Sequence, residues 1–176
     1  MLITPQAPAG EESRVEAVLE AIRAQFGKVP EGMALFAISP ELLELRWAGL
    51  RYYLSHPRLG MRLLAFIRLL VSERLGAPFC VGMNQAILLH VGVPLEAIEA
   101  ARRDPAQALL PASELGLLQL VLKATEYPLR VTGEDLEAMR GLGWSDRDVL
   151  DAIHHGANNA AADIIYNTYK IGVTSC

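Results

Sequence analysis

The sequence predicts an all-α protein, a compact multi-helix bundle with a central antiparallel helix pair. Apolar residues recur at intervals of three and four along most of the chain, which is the period of an amphipathic helix. Proline, glycine and helix-capping residues separate these segments at short distances. No segment of useful length alternates between apolar and polar residues as a strand would. With 176 residues, the chain fits one domain, which we place at 12–176 after a flexible N-terminal tail at 1–11.

The individual helices follow from these local signals. Glycines at the ends and prolines at the first helical positions mark several boundaries. Thr132 with Asp135, and Ser145 with Asp148, resemble capping boxes in which aspartate replaces the usual glutamate. The predicted helices cover about 13–26, 33–38, 40–55, 59–75, 78–91, 95–103, 113–127, 134–143 and 146–171.

The helices at 59–75 and 78–91 form the predicted centre of the bundle. Only one or two residues join them, and a connection of that length makes two helices antiparallel neighbours. The run Met61–Val71 is the most apolar of the chain, but Arg62 and Arg68 interrupt it and it is too short to cross a bilayer. We therefore expect a buried helix.

Composition excludes several classes of function. The net charge of −4 and the pI of about 5.6 argue against a nucleic-acid or membrane-surface partner, since both need a basic face. The N-terminus lacks the pattern of a signal peptide. The two cysteines form no disulfide framework and suit a reducing compartment, so we predict a cytoplasmic protein. No spacing of residues indicates a metal site or a cofactor.

Cys80 is the residue that is best placed for chemistry. If Pro78 occupies the first position of its helix, Cys80 occupies the third, near unpaired backbone N–H groups and the positive end of the helix dipole. Both features favour the nucleophilic thiolate. The alternative is a small buried hydrophobic residue between Phe79 and Val81, and local position alone favours that alternative.

The surroundings of Cys80 resemble a known family. The string VSERLGAPFCVGMNQAILLHVGVPLEAI (Val71–Ile98) is similar to the core of the AhpD-like alkylhydroperoxidases, part of the carboxymuconolactone decarboxylase superfamily. The similarity covers most of the chain and is closest to the "peroxidase-related" branch. The residues that match in register are Val71, Ser72, Glu73, Gly76, Cys80, Gly92, Val93 and Ile98.

The resemblance implies an active site that is largely lost here. The family's relay glutamate falls on Ala65, its resolving cysteine on Ala77, its peroxide-attacking cysteine on Cys80 and its histidine on Asn84. Asn84 shares the helical face of Cys80 and can donate a hydrogen bond to a hydroperoxide, but it cannot shuttle protons. Without a thiol at 77, the oxidised Cys80 would need an external thiol reductant or another cysteine.

Other polar residues have both functional and structural interpretations. Glu73 could approach Cys80 as a third site residue, or it could form a structural pair with Arg74 or Arg68, which is the interpretation we favour. Cys176 could resolve an oxidised Cys80, although an incidental thiol is favoured. The polar residues of the last helix could line a pocket, but a polar seam in a close helix contact is favoured. They are Asn158, Asn159, Asp163, Tyr166 and Asn167, while His154 and His155 could form a hydrogen-bonded pair with Asp151.

Three functions therefore stay open. The first is a cysteine-dependent oxidoreductase that reduces a hydroperoxide at Cys80, oriented by Asn84 and recycled by an external thiol. The second is a carboxymuconolactone decarboxylase-like enzyme of other chemistry, acting on a small organic acid. The third is a non-catalytic oligomeric scaffold. The resemblance also implies a homo-oligomer, for which the aromatic cluster around Trp47, Tyr52 and Tyr53 offers a surface unless it packs within the monomer.

Overall fold

The computed structural model describes residues 1–172 and is built from helices. No strand occurs among these residues, so the predicted all-α class is confirmed. Short 3-10 helices lie at Leu35–Ile38, Pro105–Gln107 and Pro128–Arg130. The α-helices are α1 (Glu12–Phe26), α2 (Glu31–Ala34), α3 (Pro40–Leu54), α4 (Met61–Arg74), α5 (Pro78–His90), α6 (Leu95–Arg103), α7 (Ala112–Glu126), α8 (Gly133–Gly141) and α9 (Asp146–Tyr169).

The helix boundaries follow the local signals closely. Thr132 and Asp135 form a complete capping box at α8, and the Ser145 side chain accepts from the backbone N–H of Asp148 before α9. Gly27 ends α1 in the left-handed region, with φ of 75°, where a residue without Cβ is unstrained. The short helix predicted at 33–38 is instead divided between α2 and a 3-10 helix.

The chain divides into two compact units, each described here by itself. The first contains residues 1–56 and 168–172. In it, α1 packs against α3, and Arg14 forms ion pairs with Glu41 and Glu44 at 2.7 Å and 2.6 Å. The backbone N–H of Leu2 donates to the Tyr169 carbonyl at 2.8 Å. The division into a flexible tail at 1–11 and one domain at 12–176 stays a prediction.

The second unit, residues 57–167, has α4 at its centre. Helix α4 runs antiparallel beside α5, as predicted, and also packs on α7. Most of its side chains are buried, and Leu63, Ala65, Phe66, Ile67 and Leu69 have no exposed surface. Of the helices described, none combines enough length and apolarity to cross a membrane.

Helix α9 approaches its neighbours most closely at Gly156. A Cβ placed on this buried glycine would lie 2.6 Å from Val121 Cγ1 of α7 and 3.1 Å from Thr125 Cγ2. It would also lie 3.5 Å from Ile67 Cγ2 of α4. A β-branched neighbour such as valine has little rotamer freedom with which to make room. The close helix contact predicted for α9 therefore depends on Gly156.

The substitution Gly156→Ala is expected to destabilise the protein. The added methyl group must displace α9 or Val121, and overpacking of this kind costs ~1–3 kcal/mol, which outweighs the ~1 kcal/mol that alanine gains over glycine inside a helix. Denaturant unfolding of both proteins measures the difference. The matched control is Gly82→Ala in the middle of α5, where a Cβ would meet nothing within 4 Å and stability should rise. Equal responses at the two positions would contradict the packing argument.

Candidate functional site

Cys80 lies in the first turn of α5, at the third helical position, as predicted. Pro78 is the first residue of the helix, and Ala77 precedes it as the N-cap residue. The N–H of Ala77 donates to the Ser72 carbonyl at 2.9 Å, which fixes the tight connection from α4. The Cys80 residue is only 1% exposed. The thiol is therefore close to the positive end of α5 but shielded from bulk solvent.

Arg68 of α4 is a charged side chain that interacts electrostatically with Cys80. Its Nε donates to Asn84 Oδ1 at 2.7 Å, and its Nη1 lies 3.1 Å from His155 Nε2. Because arginine has no acceptor, the imidazole nitrogen must accept this hydrogen bond. Two side chains from α5 and α9 thus hold one guanidinium in place.

The charge of Arg68 is coupled to Cys80. Loss of hydration lowers the pKa of Arg68 to about 10, and the interaction with Cys80 opposes this shift. The guanidinium therefore stays protonated at neutral pH. Since an electrostatic interaction between two groups acts on both, the cation favours the thiolate form of Cys80.

His155 is a neutral acceptor in this arrangement. Burial and the neighbouring Arg68 charge lower its pKa to about 3, while a hydrogen bond to the Leu64 backbone opposes the shift. At neutral pH the ring therefore carries one proton, which it shares with the Leu64 carbonyl. Its other nitrogen is left to accept from Arg68.

Asn84 is buried one helical turn after Cys80, on the same face of α5, as the spacing predicted. Its Nδ2 donates to the Cys80 carbonyl at 2.8 Å and its Oδ1 accepts from Arg68. Both ends of the amide are thus engaged within the protein. In this geometry Asn84 orients Arg68, whereas a direct hydrogen bond to a hydroperoxide stays a prediction.

A second set of hydrogen bonds continues from Arg68 along α4 and α9. Ser72 Oγ donates to Asp163 Oδ2 at 2.8 Å. Asn159 Nδ2 lies 3.0 Å from the same oxygen and 2.9 Å from Ser72 Oγ. These three residues are buried, and His155, Asn159 and Asp163 follow each other at intervals of four on α9. The polar residues of α9 that face α4 thus form a hydrogen-bonded seam, the interpretation that the sequence favoured.

Glu73 lies outside this cluster of hydrogen bonds. Its carboxylate is exposed and accepts from Arg102 Nε and Nη2 at 2.9 Å and 3.0 Å. The expected structural pair is therefore present, but its partner is Arg102 instead of Arg74 or Arg68. Glu73 follows Arg68 by five residues, which places the two side chains about 140° apart around the axis of α4. They therefore point to different faces of the helix.

Buried alanines occupy the two positions that the family resemblance assigns to the relay glutamate and the resolving cysteine. Ala65 has no exposed surface and Ala77 is 2% exposed. Within residues 1–172, no cluster of histidine, cysteine and acidic side chains could hold a metal ion. A surface cleft between α7 and α8 is lined by Lys123, Asp135 and other residues, but Cys80 is not one of them. Cys176 lies outside the described residues.

Comparison with known proteins identifies the fold. No family model and no curated protein matches the sequence. Among solved structures, an uncharacterized peroxidase-related protein from Silicibacter sp. TM1040 has a TM-score of 0.83 and 18% identity, over 96% of this chain and 89% of the other. Another, from Ralstonia eutropha JMP134 and described as an alkylhydroperoxidase AhpD core, has a TM-score of 0.81 and 20% identity, over 95% and 88%. The predicted AhpD-like fold is confirmed.

Proposed function

We propose that this chain, which shares its helical fold with peroxidase-related proteins, is a thiol-dependent oxidoreductase that reduces small hydroperoxides at Cys80. Arg68 carries the proposal. Its cation is coupled to the thiol, and among the described residues it pairs with no carboxylate that would neutralise it. A cysteine beside such a charge is more readily ionised, and the thiolate is the form that attacks peroxides.

The reaction needs one thiol of the protein and two of an external reductant. The Cys80 sulfur attacks the terminal oxygen of the hydroperoxide, the O–O bond breaks, and the alcohol leaves with the thiol proton. Cys80 becomes a sulfenic acid, having been oxidised by two electrons. One external thiol then forms a mixed disulfide and releases water, and a second restores Cys80 as it forms the external disulfide. Arg68 stabilises the negative charge on the attacking sulfur and on the leaving oxygen.

Burial sets the size of the substrate. With Cys80 only 1% exposed, a bulky molecule reaches the sulfur only after the helices move. Arg68 keeps part of its surface in contact with solvent, so a small molecule can approach along the guanidinium. Hydrogen peroxide and other small hydroperoxides fit this description.

The decisive experiment treats the native protein briefly with dilute hydrogen peroxide in the presence of a sulfenic-acid trap and measures the intact mass. The wild type should gain one adduct on Cys80, and Cys80→Ser should gain none there. Cys176→Ser is the matched control, because it removes the other thiol and leaves Cys80 in place. Multiple turnovers with an added small thiol would then establish the cycle.

The burial of Cys80 also supports the non-catalytic scaffold. If Cys80 stays unmodified in the native protein while a denatured sample oxidises, the thiol is a core residue and the peroxidase proposal is lost. The decarboxylase-like alternative stays a prediction that no contact among residues 1–172 favours.

The homo-oligomer and the cytoplasmic location also remain proposals. For the oligomer, α3 offers exposed apolar side chains spaced three and seven residues apart, a surface of the kind that protein contacts bury. The mass in solution, measured by light scattering, checks this assembly. These side chains are Leu42, Leu45 and Tyr52.

A further inference from the structure

The guanidinium of Arg68 has unused hydrogen-bonding capacity. Of its five N–H bonds, one from Nε reaches Asn84 and one from Nη1 reaches His155. Within the described residues, the remaining three, two on Nη2 and one on Nη1, have no hydrogen-bond partner. The two bonds that are made leave the outer edge of the guanidinium available while fixing the side chain.

While Cys80 keeps its proton, this guanidinium also forms no ion pair among the described residues. Both of its acceptors, an amide oxygen and a neutral imidazole, contribute no negative charge. Cys80, the group that interacts with it electrostatically, lies in the first turn of α5, where the helix dipole adds positive potential. A cation in this environment attracts an anion, and its residual exposure allows one to arrive from solvent.

We infer that Arg68, held by Asn84 and His155, binds a carboxylate beside Cys80, and that the preferred hydroperoxides carry such a group. A carboxylate can accept two parallel N–H bonds from one guanidinium, and the three that remain on Arg68 are sufficient for such a pair. Asn84 and His155 act as positioning residues, since they hold the guanidinium of Arg68 in the orientation that receives the ligand. The substrate preference rests on the proposed function, whereas the binding of a carboxylate does not.

The first test measures binding without any peroxide. Titration calorimetry with benzoate is compared with its neutral analogue benzamide at pH 7. Benzoate should bind the wild type at least tenfold more tightly than benzamide does, and Arg68→Gln should lose this preference. Arg102→Gln is the matched control, because it removes an arginine already paired with Glu73 and should leave benzoate binding unchanged.

A second variant keeps the test valid if Arg68→Gln folds poorly. Arg68→Lys preserves the charge but loses the planar fork, so benzoate binding should weaken about tenfold, the difference expected of a bidentate site. Equal affinities for benzoate and benzamide in the wild type would overturn the inference. Unchanged benzoate binding in either Arg68 variant would do the same.

The second test addresses substrate preference. A hydroperoxide that carries a carboxylate is compared with its own methyl ester, and the rate of sulfenic acid formation on Cys80 is measured for both. The acid should react about tenfold faster in the wild type and no faster in Arg68→Gln. If benzoate binds but Cys80 does not react with any hydroperoxide, the anion site stands and the proposed function fails. If both hydroperoxides react equally, the function stands and the preference is wrong.

Discussion

Replacing Arg68 with glutamine is expected to slow the oxidation of Cys80 by hydrogen peroxide ~10- to 1,000-fold at pH 7. An opposite charge at close range shifts the ionisation of a partner by ~1–3 pKa units, and the thiolate fraction at neutral pH falls in proportion. The same substitution also removes the N–H groups that stabilise the departing oxygen. The rate of sulfenic acid trapping, measured at several pH values, gives the size of the effect.

The pH dependence of the trapping rate distinguishes a loss of thiolate from a general loss of structure in the variant. As the pH rises from 7 toward 9, still below the pKa of Arg68 of about 10, the thiol of the variant ionises further, so the part of the deficit due to thiolate fraction should shrink. Arg68→Lys retains a cation and should keep most of the wild-type rate. Wild-type rates in Arg68→Gln at pH 7 would remove Arg68 from the mechanism and, with it, the main support for the proposed function.

The stability of the protein should fall by ~2 kcal/mol between pH 8 and pH 5 because of His155 alone. Its imidazole titrates near 6.5 in the unfolded chain, but its pKa is about 3 in the folded protein. Below pH 6.5 the unfolded state therefore binds a proton that the folded state does not bind. The free energy of unfolding decreases as the pH falls through this window, by up to ~1.4 kcal/mol per pH unit, and recovers as the pH rises.

The variant His155→Gln isolates this contribution. A glutamine amide can accept from Arg68 and donate to the Leu64 carbonyl, but it does not titrate. Urea unfolding at pH 8 and pH 5 measures how much the free energy of unfolding of each protein changes with pH. The difference between the two changes is due to His155, because the other titratable groups are the same in both proteins. If the free energy of unfolding changes equally with pH in both proteins, the pKa of His155 is not lowered by folding, and the prediction is wrong. The same variant should preserve the reactivity of Cys80, because the acceptor for Arg68 is retained.

Much of the fold could be predicted because its boundaries are set by local chemistry. The capping box at Thr132 and the glycine after α1 act on neighbouring residues, and the short link between α4 and α5 permits little except an antiparallel pair. The divided helix near residue 35 was not predictable in this way. There the apolar pattern is the same for an α-helix and a 3-10 helix, and the packing of the surrounding residues decides between them.

The candidate site was predictable only where it lies within one helix. Cys80 and Asn84 share a turn of α5, so their common face follows from their spacing. Arg68 and His155 belong to helices that precede and follow α5, and their meeting depends on how α4 and α9 pack. One signal was present in the sequence: an arginine within the most apolar helix is costly unless polar partners surround it. The sequence gives no indication that those partners would be an amide and a neutral histidine.

The glycine at 156 is the direct neighbour of His155, so one contact sets both the spacing of the helices and the alignment of the arginine that faces the sulfur. A larger residue there that moves α9 outward would also move the imidazole and lengthen the 3.1 Å hydrogen bond between His155 and Arg68, whose strength depends on its length. Reactivity at Cys80 could therefore be tuned from a position that never touches a substrate. Substitution of residue 156 would change this chemistry while leaving every polar group of the cluster intact.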